Sequence, residues 1–226
     1  MKTLFLYLQG FMQAWDDGAH FDIRRTRLEP TKSAVIGMLV SAMGKNGDEL
    51  LWFVSENTRM GVRVDEPGVI LYDFQAVRGS VRADGTVKQP DEKNANMITS
   101  RYYLCGAAFL VALQTENNDL FDELVAAATC PKRPIYLGRK NCVPSRPIFA
   151  GTGEYPTLAD ALSAYPLPET EMQNGKPVSY RCVVEIDNTN GVMLRDNHYR
   201  KSINLYAPRF VRDYYLIPTE NNQKCI

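Results

Sequence analysis

TLFLYLQGFMQAWDDGAHFDIRRTRLEPTKSAVIGMLVSAMG, residues 3–44, joins an apolar run to a punctuated helix across a basic loop. Residues 3–9 are β-branched, aromatic and aliphatic without polar alternation, and Gly10 ends the run. A strand covered on both faces has this composition, so the segment reads as a central strand of a sheet. Thr31, after Pro30, is placed to cap a helix. Ala34, Ile36, Met38, Leu39, Val40 and Met43 give that helix its apolar face, and Gly44 stands where a C-terminal glycine belongs. Between strand and helix lie about twenty residues, too long for an ordinary connection, so the loop is functional or disordered. It carries Arg24, Arg25 and Arg27, and cations presented between two rigid elements suggest an anion site.

Outward from this unit, residues 48–57 read as a short helix burying Leu50, Leu51, Phe53 and Val54. Met60, Val62 and Val64 then alternate with polar neighbours, Glu66-Pro67-Gly68 makes a turn, and residues 69–77 continue extended, which reads as a hairpin. Residues 78–101 are polar, contain Gly79, Gly85 and Pro90, and lack a core-facing stripe, so they read as a protruding arm. Tyr102 to Leu113 forms the next strand. Residues 117–129 form a helix capped by Asn117 or Asn118, with Leu120, Phe121, Leu124 and Val125 facing inward. Strand, helix, hairpin, arm, strand, helix is most simply closed as an α+β, ferredoxin-like (RNA-recognition-like) sandwich over residues 1–153. Residues 154–226 read as an appended β-rich portion: a short helix from Leu158 to Ala164, a polar loop, then strands at 178–186, 191–194 and 210–217.

Composition narrows the class of function. The chain has 226 residues, is 45% hydrophobic, and balances 26 basic against 26 acidic residues. It can bury a sizeable core, and no global field draws it to nucleic acid or membrane, so such a partner must meet a local patch. Five cysteines without a CxxC pair signal neither a disulfide framework nor a zinc site, and point to free thiols in a reducing cytoplasm. The opening residues read as a strand and not a signal peptide, and no apolar run is long enough to span a bilayer. No cofactor motif is present: there is no Walker loop, nucleophile elbow or HExxH.

Charge is unevenly distributed. Residues 131–150, PKRPIYLGRKNCVPSRPIFA, hold Lys132, Arg133, Arg139, Lys140 and Arg146 and no acidic residue. The arginine loop with Lys32 is a second basic group, and Arg195, Arg200, Lys201, Arg209 and Arg212 are a third. Tyr136, Tyr199, Tyr206 and Phe210 interleave with them. Phosphates need such cations, and single-stranded RNA needs flat side chains for its bases. A solvated face whose arginines pair with scattered carboxylates has the same composition. Trp15 is either a stacking platform or a staple on the core. Of the two histidines, His20 lies in an acidic loop, where a metal or general-base role competes with simple exposure. His198 adjoins Tyr199, Arg200 and Lys201, a mix found in metal-independent ribonucleases, although a non-catalytic histidine is the plainer expectation.

Four segments in order, GFMQAW (10–15), PTKSAVIGML (30–39), SRYYLCGAAFLVAL (100–113) and YLGRKNCVPSRPIFAGT (136–152), resemble CRISPR-associated protein family five, in the E-subtype branch of the Cascade surveillance complex. The last segment is the most specific. The resemblance covers roughly residues 1–155 and implies an RNA-recognition-like domain with a protruding thumb, matching the arm at 78–101. It implies a non-catalytic subunit that caps the 5′ handle of the CRISPR RNA between the large subunit and the first backbone subunit, meeting target DNA only through the complex. By position, Arg24, Arg25, Arg27, Lys32, Ser33, Arg139, Lys140 and Arg146 would line the handle pocket, with Trp15 and Tyr136 as candidate stacking rings. Val81, Val87 and Met97 on the thumb would serve protein contacts. Two alternatives stand beside this: an endoribonuclease processing precursor RNA, as in the C-subtype branch, with His198, Tyr199 and Lys201 as the candidate cluster, and a protein-only scaffold.

Overall fold

The computed structural model describes residues 1–15, 22–78, 81, 84–87, 96–168, 179–187, 189–200 and 205–217, the side chains of residues 78, 96 and 97 apart. Strand β1 (Lys2–Gln9) runs antiparallel to two partners, β7 (Ala108–Thr115) and β8 (Phe149–Glu154). Leu4, Leu6 and Leu8 point to the face covered by helices α1 (Lys32–Ala42), α2 (Asp48–Glu56) and α3 (Asn118–Thr129). Phe5 points to the other face, which α4 (Leu158–Ala164) covers with Leu158, Ala161 and Leu162. Two covered faces are why residues 3–9 show no polar alternation.

Strand β4 (Arg59–Glu66) pairs with β7 on one edge and β9 (Tyr180–Ile186) on the other. Beyond β9 lie β11 (Leu205–Leu216) and β10 (Val192–Arg200), giving the order β10-β11-β9-β4-β7-β1-β8. The fold is mixed α+β with antiparallel main-sheet pairings. Among the described residues no helix is long and apolar enough to cross a membrane.

A second sheet is built on β6 (Asn96–Cys105), which pairs with β5 (Val69–Arg78), with β2 (Met12–Gln13) and, in parallel, with β3 (Ile23–Arg24). This corrects three expectations. Segments 60–64 and 69–77 are not a hairpin: both edges of β4 are occupied in the main sheet, and at Gly68 (φ +68°) the chain turns away into β5. A Cβ at Gly68 would stand 2.6 Å from the Cys105 carbonyl oxygen, so the turn requires glycine. Tyr102 to Leu113 is two strands in two sheets, divided at Gly106 (φ +68°). The arm has its paired stem in β5 and β6, beginning at Val69 and not at residue 78; toward its tip Val81 bridges Val87, both exposed, while the Met97 side chain lies outside the described residues.

The helices follow their local signals. The Thr31 hydroxyl accepts from the Ala34 N–H at 3.3 Å, and Asn117 caps α3 through Leu120 N at 3.0 Å. Removing the first cap, Thr31→Ala, is expected to cost about 1 kcal/mol, read as a fall of ~2–4 °C in thermal unfolding midpoint. In α2, Leu51 and Val54 are buried as expected, but Phe53 is 41% exposed beside Trp52.

Candidate functional site

The basic segment between α3 and β8 is organised by Gly138 and Arg139. Gly138 adopts φ +97°, and a Cβ there would fall 1.8 Å from the Ala14 carbonyl oxygen, so a side chain at this position is excluded. The close approach accompanies backbone bonds from Ala14 N to Leu137 O (3.0 Å), Leu137 N to Cys142 O (2.7 Å) and Cys142 N to Arg139 O (2.8 Å). Arg139 is thereby set over the Tyr103 ring at 4.8 Å, donating through Nη1 to Tyr102 O (3.1 Å) and through Nη2 to Arg24 O and Arg25 O (both 3.0 Å). Its guanidinium holds the arginine loop against the base of the arm. Arg25 and Lys140 are exposed beside this clamp, and Arg24 is half-buried.

The other expected contacts are distributed differently. Trp15 is fully buried, its indole N–H donating to Gln13 Oε1 at 3.0 Å, so it is a core staple and not a stacking platform. Lys32 is 1% exposed with Nζ 2.9 Å from Glu185 Oε1, which removes it from any phosphate surface. Burial lowers the pKa of its ammonium, against the opposing pull of Glu185. Arg27 is half-buried beside Asp196 and Arg209. Arg146 is exposed over the Tyr7 ring at 5.0 Å, on the sheet face opposite α1, and so is separate from the clamp. His20 and Lys201 lie outside the described residues.

A buried polar network fixes β10 and β11 against α1. Asp196 accepts from Arg209 Nε (2.6 Å) and Nη2 (2.8 Å) and from the backbone N–H of Lys32 at 2.9 Å, in the first turn of α1, where a negative charge is favoured. Burial by itself would raise the Asp196 carboxyl; the Arg209 fork and the Lys32 N–H outweigh it and hold the group below its ordinary value. Next along β10, Asn197 bonds Ser55 and donates to Glu56 Oε1 at 2.7 Å. His198 follows: it is 2% exposed, its backbone N–H donates to Ser55 Oγ at 3.1 Å, and Nε2 lies 2.8 Å from the Ser33 carbonyl oxygen. Tyr199, its neighbour on the strand, is 47% exposed. With His198 buried and Tyr199 exposed at a break in the β10–β11 register, the ribonuclease-like grouping of these two is not assembled.

These anchors leave an open groove of about 390 Å³ between α1, residues 134–139 and the β10–β11 pair. Ser33, Tyr136 and Arg139, all named from the sequence, line it with His198 and Tyr206. Among the described residues no group of three or more His, Cys, Asp or Glu side chains is arranged to hold a metal ion.

Residues 3–219 match the family model described as CRISPR-associated protein (Cas_Cas5). The chain belongs to this family. It is 33% identical over 172 residues to the CRISPR system Cascade subunit CasD of Escherichia coli (strain K12), covering 72% of this chain and 76% of that protein. A chain of a solved CRISPR RNA-guided surveillance complex superposes with a TM-score of 0.79 at 29% identity, covering 95% of this chain and 90% of its own. A crystal structure of a Cas protein gives 0.70 at 34% identity, covering 95% of both. In this member of the family, the contribution of β10 and β11 to the groove was missed from sequence. The one local hint was Gly37, a glycine inside a helix whose ideal Cβ position lies 3.8 Å from His198 Nε2.

Proposed function

We propose that this chain is the surveillance-complex subunit that binds and caps the repeat-derived 5′ handle of the CRISPR RNA, contacting the large subunit and the first backbone subunit and performing no catalysis. The observation that carries this is the Arg139 clamp, which gathers the exposed cations Arg25 and Lys140 at the base of the arm in a chain of neutral net charge. One basic surface on an otherwise balanced molecule suits a subunit with RNA on one side and protein on others. A ferredoxin-like plan over residues 1–153 is supported by the order β8-β1-β7-β4 with α1 and α3 on one face. The arm is the thumb of this reading, and the exposed Val81 and Val87 are its candidate protein contacts. Residues 154–226 are the appended portion, contributing β9, β10 and β11 beside β4. Burial of His198 and exposure of Tyr199 support a non-catalytic role.

The test is to tag the chain in its host, recover it at moderate salt, identify partners and sequence the 5′ ends of bound RNA. Uniform repeat-derived 5′ ends recovered with several other subunits are expected. Partners without RNA would make it a scaffold, and metal-free cleavage of repeat RNA abolished by His198→Ala would make it an enzyme. In vitro, Arg25→Ala with Lys140→Ala should weaken RNA binding and flatten the log–log salt dependence by about 1.4, at ~0.7 per cation released from single-stranded RNA. Because both side chains are exposed, the thermal unfolding midpoint should stay within about 2 °C of the parent.

A further inference from the structure

We propose that the groove between α1, residues 134–139 and the β10–β11 pair receives one unstacked nucleobase of the bound RNA, with the phosphates held outside it at Arg25 and Lys140; this rests on the RNA-binding reading. The volume, about 390 Å³, falls within the ~300–1,000 Å³ range of small-ligand sites. Its walls offer flat faces: Tyr136 on one side, and His198 with Tyr206 on the other, their ring centroids 5.7 Å apart. Its charge is wrong for a phosphate. Among the described residues, Arg139 is the one cationic side chain on the lining, its Nη donors are bonded to three backbone carbonyls, and no carboxylate lines the groove. An uncharged aromatic ring gains most in such a site, since it stacks without needing a counter-charge, and the hydroxyls of Ser33 and Ser41 are present on the lining for its polar edge.

Gly37 is the independent sign that the space is kept open. Glycine inside a helix is unfavourable by about 1 kcal/mol against alanine. Here no positive φ calls for it, and an added Cβ would meet nothing nearer than His198 Nε2 at an ordinary 3.8 Å. Neither backbone conformation nor close packing therefore explains the glycine, whereas a longer side chain would fill the groove from the helix side. Ser41 lies one turn further along the same face.

The experiment uses the full chain and short single-stranded RNAs of the repeat-derived 5′ sequence, intact or with one abasic nucleotide walked along the strand. With the parent chain, one abasic position is expected to weaken binding by about tenfold, the scale of one stacked base. Gly37→Leu should lose about the same factor toward intact RNA and become indifferent to that abasic position, while Gly37→Ala keeps parental binding. Arg25→Ala with Lys140→Ala should instead weaken all RNAs alike and keep the abasic sensitivity. If Gly37→Leu does not fold, Ser41→Leu plugs the groove from the next turn with the same expected result. Parental affinity in a folded plugged variant, or retained sensitivity at the same abasic position, would overturn the base site while leaving RNA binding intact. If the parent chain binds no RNA, the RNA-binding reading fails first and takes the inference with it.

Discussion

Arg63→Ala is expected to lower stability by about 3–5 kcal/mol, a fall of ~10 °C or more in unfolding midpoint. Arg63 is completely buried and its five donors are in demand. Nε and Nη2 fork onto Asp65 at 2.6 and 3.2 Å, Nη1 donates to Leu162 O and Tyr165 O at 2.9 Å, and Nη2 donates to Pro166 O at 2.8 Å. The three carbonyls belong to the end of α4 and the residues after it, where a cation also meets the negative end of the helix. Alanine leaves a buried carboxylate without its counter-charge and three acceptors without donors, and those desolvation penalties dominate the loss. The pH dependence identifies the cause. Burial already raises the Asp65 carboxyl against the lowering effect of Arg63. A carboxyl whose folded pKa lies above its unfolded one gains stability as pH falls through the folded value, because the folded state takes up the proton first. Without Arg63 the folded value rises further, so the deficit should be larger at pH 8 than at pH 5. Urea unfolding of parent and variant at the two pH values reads this directly; a deficit independent of pH would point to lost packing and not to an orphaned charge.

How much of this was legible in sequence follows from how local each signal is. The strand at 3–9, the helix capped by Thr31, the helix capped by Asn117 and the helix at 158–164 were readable because composition and caps act within a few residues. Arg63 and Asp65 misled: polar residues alternating with Met60, Val62 and Val64 look like a solvent face, but they form a buried pair beneath α4, a contact reached from about a hundred residues away. Lys32 misled likewise, since its partner Glu185 lies 153 positions along the chain. The arginine loop was found by charge alone, yet Arg139 turned out to be its clamp and not simply a member of its surface, because carbonyl partners carry no side-chain signature. Residues 195–200 gave the expectation of cations, an interleaved tyrosine and a histidine that could join a ribonuclease-like cluster, and no sign of a buried acid. That Asp196 reaches the start of α1 depends on strand order, which periodicity does not encode.

Asp196→Asn should cost about 3 kcal/mol or more and, unlike Arg63→Ala, should also reduce RNA affinity. The substitution keeps the shape and removes a charge that faces three cations: Arg209 through a two-bond fork, Lys32 through its backbone N–H and buried side chain, and the half-buried Arg27. Glu185 alone then serves Lys32 and Arg209, at 2.9 Å from Lys32 Nζ and 3.6 Å from Arg209 Nη1. The native Asp196 carboxyl is held below its ordinary value, so its contribution is whole above the unfolded value near 3.9 and is lost as pH falls through the folded one. The variant should therefore be less stable at neutral pH but show a shallower decline over the acid limb, below about pH 4, with parent and variant converging there. The functional consequence comes through geometry: Asp196 and Arg209 fix β10 and β11 at the start of α1, and those strands bring His198 and Tyr206 to the groove beside Ser33. Loosening that attachment displaces one wall of the groove while the cations at Arg25 and Lys140, held by Arg139, stay in place. RNA affinity should fall with its salt slope unchanged, the opposite pattern to removal of the two exposed cations, and a salt slope that fell as well would place Asp196 in the phosphate-binding surface instead.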